Sequence, residues 1–435
     1  MNNTLQPENT KTSIQHLAIF LLEYASAQLA SGGQTLRVAR SAARISKCFG
    51  YSCHATFLSR HITMTISTKE ELPVTIVGTV PDMGLNFRRL VALNRLSWLA
   101  IDEKLGFEDI QARFCEIMAM QNFSRTVLLW GASFANAAFC RLFGGDISAM
   151  LFVFAGTFAA LAFRQFLDKH HATPCLSFIL AAFVASMIVA LAVLSGMSTT
   201  PQIAIGSSVL FLIPGVPMIN STLDLLTGYP LMSFSRLVRS GMLVSCIGLG
   251  LGCTLFITNL EMGSLTPAFP ITNLWPDLVF DGIFAAVASM GFAVLSNPGL
   301  FLVFCSGLLA ALGHSFRLYL LYTGVMSIIP ASLMAACLIG IACVGLARRY
   351  HIPGEFFSFL ALLPMIPGMY AYGVILSTIQ FMSASTAIES IVPLVELIKD
   401  FLLALFIMCA LALGAIAPLL VQHFVFHDSN RFAKK

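Results

Sequence analysis

From Phe123 onward, apolar runs of about 17–25 residues follow one another, the length that the hydrocarbon core of a bilayer demands of a helix. Ten such runs can be counted, near 123–142, 147–163, 174–196, 203–223, 237–258, 278–296, 299–314, 322–346, 355–378 and 400–422. A chain patterned this way has little choice of fold. In lipid every backbone polar group must be satisfied internally, which leaves helices or closed barrels, and these runs have helical length. Only 11% of the residues are charged, against about a quarter in soluble domains. The expected fold class is therefore a mainly α, polytopic membrane protein of about ten transmembrane helices.

The N-terminal part differs. Residues 1–125 hold 13 of the 25 Lys+Arg and 10 of the 21 Asp+Glu, half of the charge in under a third of the length. Residues 1–122 are expected to form a soluble α+β domain ahead of the spans. Helices are predicted near 12–30 and 34–49, then three alternating strand-like runs, YSCHATFLS, HITMTIS and PVTIVGTVP, then helices near 87–104 and 107–120. Met1 to Lys11 is polar and no signal peptide is recognisable, so the N-terminus is expected on the cytoplasmic side. With that side fixed, nine cations fall on cytoplasmic turns and the tail: Arg164, Lys169, Arg236, Arg239, Arg348, Arg349, Arg431, Lys434 and Lys435. Only Arg141, Arg317 and Lys399 fall opposite, and the connection at 259–277 has no Lys or Arg. Ten spans with both termini inside satisfy the positive-inside rule.

An internal repeat organises the spans. AGTFAALAF (155–163) resembles SGLLAALGH (306–314), pairing Gly156 with Gly307 at an offset of 151. LFLIPGVPM (210–218) resembles LALLPMIPG (360–368), pairing Pro214 and Pro217 with Pro364 and Pro367 at an offset of 150. Two repeats are expected, at 123–260 and 275–424. Five spans in each would insert the second copy upside down, the inverted arrangement of many secondary transporters.

Each repeat places P-x-x-P near the middle of its fourth span, and two prolines three apart must break or kink a helix. Matched breaks point to a binding site near the midplane; the plainer reading is a pair of packing kinks. Pro214, Gly215, Pro217, Pro364, Pro367 and Gly368 therefore head the candidate site. Asn220 and Asp224, four apart on one helix face, follow the first break. Asp224 could carry a coupling proton, with Asn220 holding a substrate carboxylate or hydroxyl, or it could simply be solvated at its helix end. Tyr370 and Tyr372 offer hydroxyls after the second break. His314 and Arg317 cluster at the end of the seventh span, where the guanidinium could pair with a substrate carboxylate or snorkel to the interface. Asp146 and Arg164 read as interfacial.

In the N-domain, Arg37, Arg40, Arg44 and Lys47 form one stripe, read as a solvated or headgroup-facing helix surface. Ser31, Gly32 and Gly33 read as a helix start, too weak for a phosphate loop. His54, Ser59 and His61 lack the acid a catalytic triad needs, so no enzyme is expected. The eleven cysteines include no C-x-x-C and read as small hydrophobes, with no metal site or cofactor implied. No aromatic-interleaved basic patch suggests nucleic acid.

Four segments together resemble the threonine/serine exporter family. They are LASGGQTLRVARSAARISKCFGY (29–51), TTPQIAIGSSVLFLIPGVPMINSTLDLLTGY (199–229), GHSFRLYL (313–320) and FLALLPMIPGMYAYGVILS (359–377). The resemblance covers essentially the whole chain. In some members the halves are separate chains, including a two-component exporter of dicarboxylates such as succinate; here they are fused. The resemblance implies proton-driven export of small hydrophilic metabolites, threonine or serine foremost, across the bacterial inner membrane. Substrate, protons and the lipid bilayer are the implied partners, and a homo-oligomer is compatible with it. A dicarboxylate exporter, a channel, and a membrane-bound hydrolase using the N-domain are the alternatives.

Overall fold

The computed structural model describes residues 13–432 apart from 59, 71, 82–83, 261–272, 351 and 353, with side chains described up to residue 418. Ser59, most of the 259–277 connection, the Arg431 side chain, Lys434 and Lys435 lie outside the described residues. The chain divides into two compact units. One comprises the residues up to Gln121 together with Asp224–Ser235, the other Asn122–Leu223 together with the residues from Arg236 onward.

In the first unit, helices α1 (Ile14–Ala30) and α2 (Thr35–Cys48) precede strands β1 (Ser52–Phe57), β2 (His61–Ser67) and β3 (Val74–Thr79). Helices α3 (Phe87–Asp102) and α4 (Phe107–Met118) follow. The strands form an antiparallel meander in the order β1-β2-β3. On β2 the alternation is strict: Ile62, Met64 and Ile66 are fully buried, while Thr65 meets Thr75 of β3 on the other face. Tyr24 of α1 is also fully buried, and donates its hydroxyl to the Leu93 carbonyl at 2.7 Å. The turn between α1 and α2 needs its glycines. Gly32 has φ +92°, and a Cβ on Gly33 would stand 2.8 Å from the Gln28 carbonyl oxygen.

The spacing of the basic stripe of α2 suggests a uniformly solvated face, but the structure differs at Arg44. Arg44 packs 4.1 Å over the Trp98 ring and donates to Ser41 and Asn94. Burial brings its guanidinium down to about 10, against the opposing field of Tyr24, so it remains charged at neutral pH. Residues 224–235, expected within the first repeat, belong to this unit instead. Met232 joins its core, and the Tyr229 ring lies 6.2 Å from that of Phe57.

The second unit is helical. It contains α5 (Arg125–Leu142), α6 (Ile147–Lys169), α7 (Pro174–Leu194), α8 (Pro201–Ser208), most of α9 (Gly215–Leu226) and α10 (Pro230–Thr258). Then come α11 (Leu274–Leu295), α12 (Leu300–Tyr322), α13 (Ile328–Tyr350), α14 (Gly354–Leu362), α15 (Gly368–Ser383) and α16 (Ala387–Phe432). Seven of these helices are long and apolar enough to cross a membrane, or up to nine spans if each bent pair counts as one. The bent pairs are α8 with α9, at 65°, and α14 with α15, at 46°. The 18-residue α5, with Arg125 and Arg141 at its ends, is not in that set.

Backbone landmarks of this unit recur 153 residues apart. Helices α6 and α12 start at Ile147 and Leu300 and end at Lys169 and Tyr322. The 3-10 turns Leu210–Leu212 and Leu363–Met365 precede the two breaks, and α9 and α15 start at Gly215 and Gly368. The left-handed residues Gly144 and His171 match Asn297 and Gly324. This corrects the register read from the prolines. The repeated unit is Ile-Pro-Gly at 213–215 and 366–368, so Pro214 corresponds to Pro367 and not to Pro364.

Local chemistry explains the shift. Ile213 and Ile366 are extended, with ψ of 126° and 133°, as a residue before proline prefers. The amides of Gly215 and Gly368 then turn back to the Ile213 and Ile366 carbonyls at 2.8 and 2.7 Å. Pro217 falls in the first turn of α9, where a missing N–H costs nothing, and Pro364 lies before its break. Each P-x-x-P thus spends one proline on the break, a different one in each half.

The half-helices that lead into the breaks are clamped alike. Asn136 of α5 donates to the Ser207 carbonyl at 3.0 Å and to the Thr157 hydroxyl at 2.7 Å. Ser289 of α11, 153 residues on, donates to the Leu360 carbonyl at 2.9 Å. Close helix approach makes this geometry available: a Cβ on Gly291 of α11 would overlap the Gly131 carbonyl of α5. Such bonds inside membrane bundles contribute about 0.6 kcal/mol on average and up to about 1.7. Asn136→Ala should therefore destabilise the protein by about 1–2 kcal/mol and Ser289→Ala by about half as much. Titration of SDS-induced unfolding in detergent micelles measures both, and equal losses would mean that the extra partner of Asn136 contributes nothing.

Candidate functional site

Beside the second break lies a cavity of about 440 Å³, within the range of small-molecule sites. The C-terminal end of α5 contributes Arg141, and α11 contributes Asp281. From α12 come His314 and Arg317, from the break Pro364 and Pro367, from α15 Tyr370, and from α16 Asp400. Phe280, Phe284, Met365 and Ile366 supply apolar wall.

Three of the charged or titratable groups form a chain. His314 Nδ1 lies 2.7 and 2.9 Å from the two carboxylate oxygens of Asp281. Arg317 Nη2 lies 2.8 Å from His314 Nε2, and its Nη1 donates at 3.4 Å to the Met365 carbonyl inside the break. The roles follow from chemistry. A guanidinium has no acceptor, so Nε2 must accept, and the ring proton then sits on Nδ1 and is donated to Asp281. The imidazole in this arrangement is neutral, held between a carboxylate and a guanidinium. The His314 and Asp281 side chains are each 9% exposed, so the carboxylate is taken from water only because its hydrogen bond replaces solvent.

Several expected site residues meet here: His314, Arg317, Pro364, Pro367 and Tyr370 line one cavity. Others do not line it. Tyr372 is fully buried against α8, its ring 2.9 Å from where a Cβ on Gly206 would stand, and its hydroxyl makes no hydrogen bond among the described residues. Gly215 faces Ile366 and Gly368 faces Leu210 and Ile213, so the two breaks pack on one another. Pro214, Pro217 and the buried Asn220 do not line the cavity.

Asp224 is placed where a coupling role would not lead one to look. It is fully buried in the first unit, where its two carboxylate oxygens accept from the Thr35 amide and hydroxyl, both at 3.0 Å. It thereby satisfies the N-terminus of α2, a position that favours negative charge. Asp146 has a comparable structural use. It caps α6 through the Ala149 amide. Burial would raise its carboxyl, but the Thr199, Ala149 and Ser148 hydrogen bonds hold it well below the usual carboxylate range.

Asp281, Arg141 and Asp400 were not singled out in the sequence. Asp281 carried a usable signal, since a carboxylate inside an apolar run is costly and usually faces a pathway. Arg141 and Asp400 sit at the ends of their runs, where charge is ordinary. In the N-domain, His54 and His61 lie exposed on β1 and β2.

Comparison with known proteins places these features. A threonine/serine exporter family model matches residues 19–258 and a second threonine/serine exporter model matches 281–421. A "Threonine/serine exporter" of Corynebacterium glutamicum is 25% identical over 344 residues, 75% of this chain and 68% of its own length. A "Probable succinate transporter subunit YjjP" of Escherichia coli K12 is 26% identical over 259 residues, 59% of this chain and 98% of its own. Its namesake in Klebsiella aerogenes is 26% identical over 250 residues, 57% of this chain and 93% of its own. No solved structure matches the chain. This chain belongs to the threonine/serine exporter family, and it is a multi-pass membrane transporter, not an enzyme.

Proposed function

We propose that this protein is a secondary active exporter of small hydrophilic metabolites, threonine and serine foremost, driven by protons across the bacterial inner membrane. The observation that carries the reading is the cavity at the second break, where opposite charges and a histidine converge in a family of exporters. The 153-residue recurrence supports two five-span repeats. Counting each broken pair as one span and including α5, helices α5–α10 give five spans and α11–α16 give five. Five is odd, so the second copy is inverted. A cytoplasmic N-domain at 1–122, joined by 224–235, completes the plan.

The cavity also sharpens the topology. Arg141 and Arg317, two of the three cations on the side opposite the N-domain, line the cavity. They are then site residues rather than loop charges, and the third cation, Lys399, lies within α16 beside Asp400. On this orientation the cavity faces away from the cytoplasm, in a solute-releasing state. Cysteine labelling should find position 435 accessible only from the cytoplasm and position 265 only from outside. The reverse pattern would discard the map and the inversion together.

Coupling is assigned to Asp281 and His314 in place of Asp224. A proton taken by His314 at Nε2 removes the acceptor that Arg317 uses and sets two cations side by side. The guanidinium must then let go, so proton occupancy re-aims the group best suited to a substrate carboxylate. Asp281→Asn and His314→Gln should abolish net transport driven by a pH gradient while labelled threonine still exchanges across proteoliposomes. Gradient-driven accumulation at more than about a third of the wild-type rate in both variants would remove these residues from coupling; a third of a rate is under 1 kcal/mol.

The breaks give a third test. Pro214→Ala and Pro367→Ala let the spans run on and should each reduce transport about tenfold or more, since pre-set geometry at a site is commonly worth that much. Pro217→Ala and Pro364→Ala should retain most activity. Equal effects at all four positions would favour the proline pairing at an offset of 150. Succinate stands as the second substrate reading because of the 26% identity to a succinate transporter subunit.

A further inference from the structure

Two carboxylates line the cavity, and their situations differ. Asp281 is engaged by His314. The Asp400 carboxylate receives no hydrogen bond and no ion pair among the described residues, and it is half-buried. Lys399, its neighbour in the chain, is not a lining residue. The carboxylate also has a place made for it. On α15 a Cβ at Gly373 would overlap the Asp400 carboxylate, so only glycine lets α16 bring this acid so close. Tyr370, one turn before Gly373, lies within electrostatic reach of both Arg317 and Asp400.

The charges of the cavity sum to zero, Arg141 and Arg317 against Asp281 and Asp400, with His314 neutral. A zwitterion leaves that balance unchanged. A dicarboxylate adds two negative charges and sets one of them near a carboxylate that has already lost part of its water, where like charges cost several kcal/mol. Among the described residues Arg317 uses two of its five N–H groups, on Nε2 of His314 and the Met365 carbonyl. The others remain to meet a carboxylate.

Resting on the reading of this cavity as the solute site, we propose that Asp400 is its specificity-determining residue: the counter-charge for a substrate ammonium while Arg317 takes the carboxylate, so that α-amino acids are chosen over acids without an amino group. Gly373 is the positioning residue that makes this possible. Asp400 needs no role in proton coupling on this view, since that belongs to the Asp281–His314 pair.

The purified full chain in liposomes tests this by exchange of labelled threonine against internal threonine, succinate or 3-hydroxybutyrate. The last keeps the carboxylate and hydroxyl of threonine and lacks only its ammonium. In the wild type, threonine should be preferred over 3-hydroxybutyrate by about tenfold or more, the usual worth of a charged hydrogen-bonded pair. Asp400→Asn should cut threonine exchange about tenfold and bring the two solutes within about threefold of each other. Gly373→Ala keeps the carboxylate but displaces it, and should lower the preference at least threefold. A preference that survives in Asp400→Asn overturns the proposal. Should that variant fail to fold, an unchanged preference in Gly373→Ala overturns it equally. A wild type that exchanges succinate but not threonine defeats this assignment and leaves the exporter reading standing. One that exchanges none of the three defeats the exporter reading itself.

Discussion

A helix interrupted within a bilayer strands backbone carbonyls and amides in a medium that offers no water, and each stranded group costs several kcal/mol. Much of the architecture of the second unit can be understood as the answer to that cost. At both Ile-Pro-Gly breaks the chain first tightens into a 3-10 turn and then closes a three-residue turn from the glycine amide to the isoleucine carbonyl. Asn136 and Ser289 take up carbonyls on the helices leading in. Arg317 takes up the Met365 carbonyl in the second break. That last solution also brings a permanently charged group to the wall of the cavity.

A partly buried guanidinium then requires neighbours of its own. The chain Asp281–His314–Arg317 meets the need without net charge, with the imidazole accepting from one side and donating to the other. Such an arrangement has two protonation states that differ in where the guanidinium can point. It can therefore link a proton to the recognition of a carboxylate through one side chain, with no movement of the fold required at that step.

The first half of the bundle shares the break and the clamp but not the aspartate and histidine of the cavity. Position 164, which matches 317 at the 153-residue spacing, is also arginine, and it packs over Phe178 at 4.3 Å with Asp168 near by. The positions that match Asp281 and His314 are Leu128 and Leu161. The repeats are thus alike in backbone and unlike in chemistry, as though one copy had kept the scaffold while the other gathered the ionisable groups.

The sequence by itself determined that the chain crosses a membrane many times, because run length and the scarcity of charge leave helices no other solvent. It also determined that two helices are broken, since proline cannot be accommodated silently within a span, and that His314, Arg317 and Tyr370 were worth attention. Which proline makes each break was beyond it: the P-x-x-P spacing matches at 150, but the backbone turns at Ile-Pro-Gly, where extended ψ and glycine coincide. The partnership of Asp281 with His314, the recruitment of Arg141 and Asp400, and the use of Asp224 as a cap on α2 were decided only by the tertiary structure. Asp281 and His314 are 33 positions apart and Asp224 and Thr35 are 189 apart, and the energy of a buried charge depends on which group stands beside it, a fact of three-dimensional packing that no local pattern encodes.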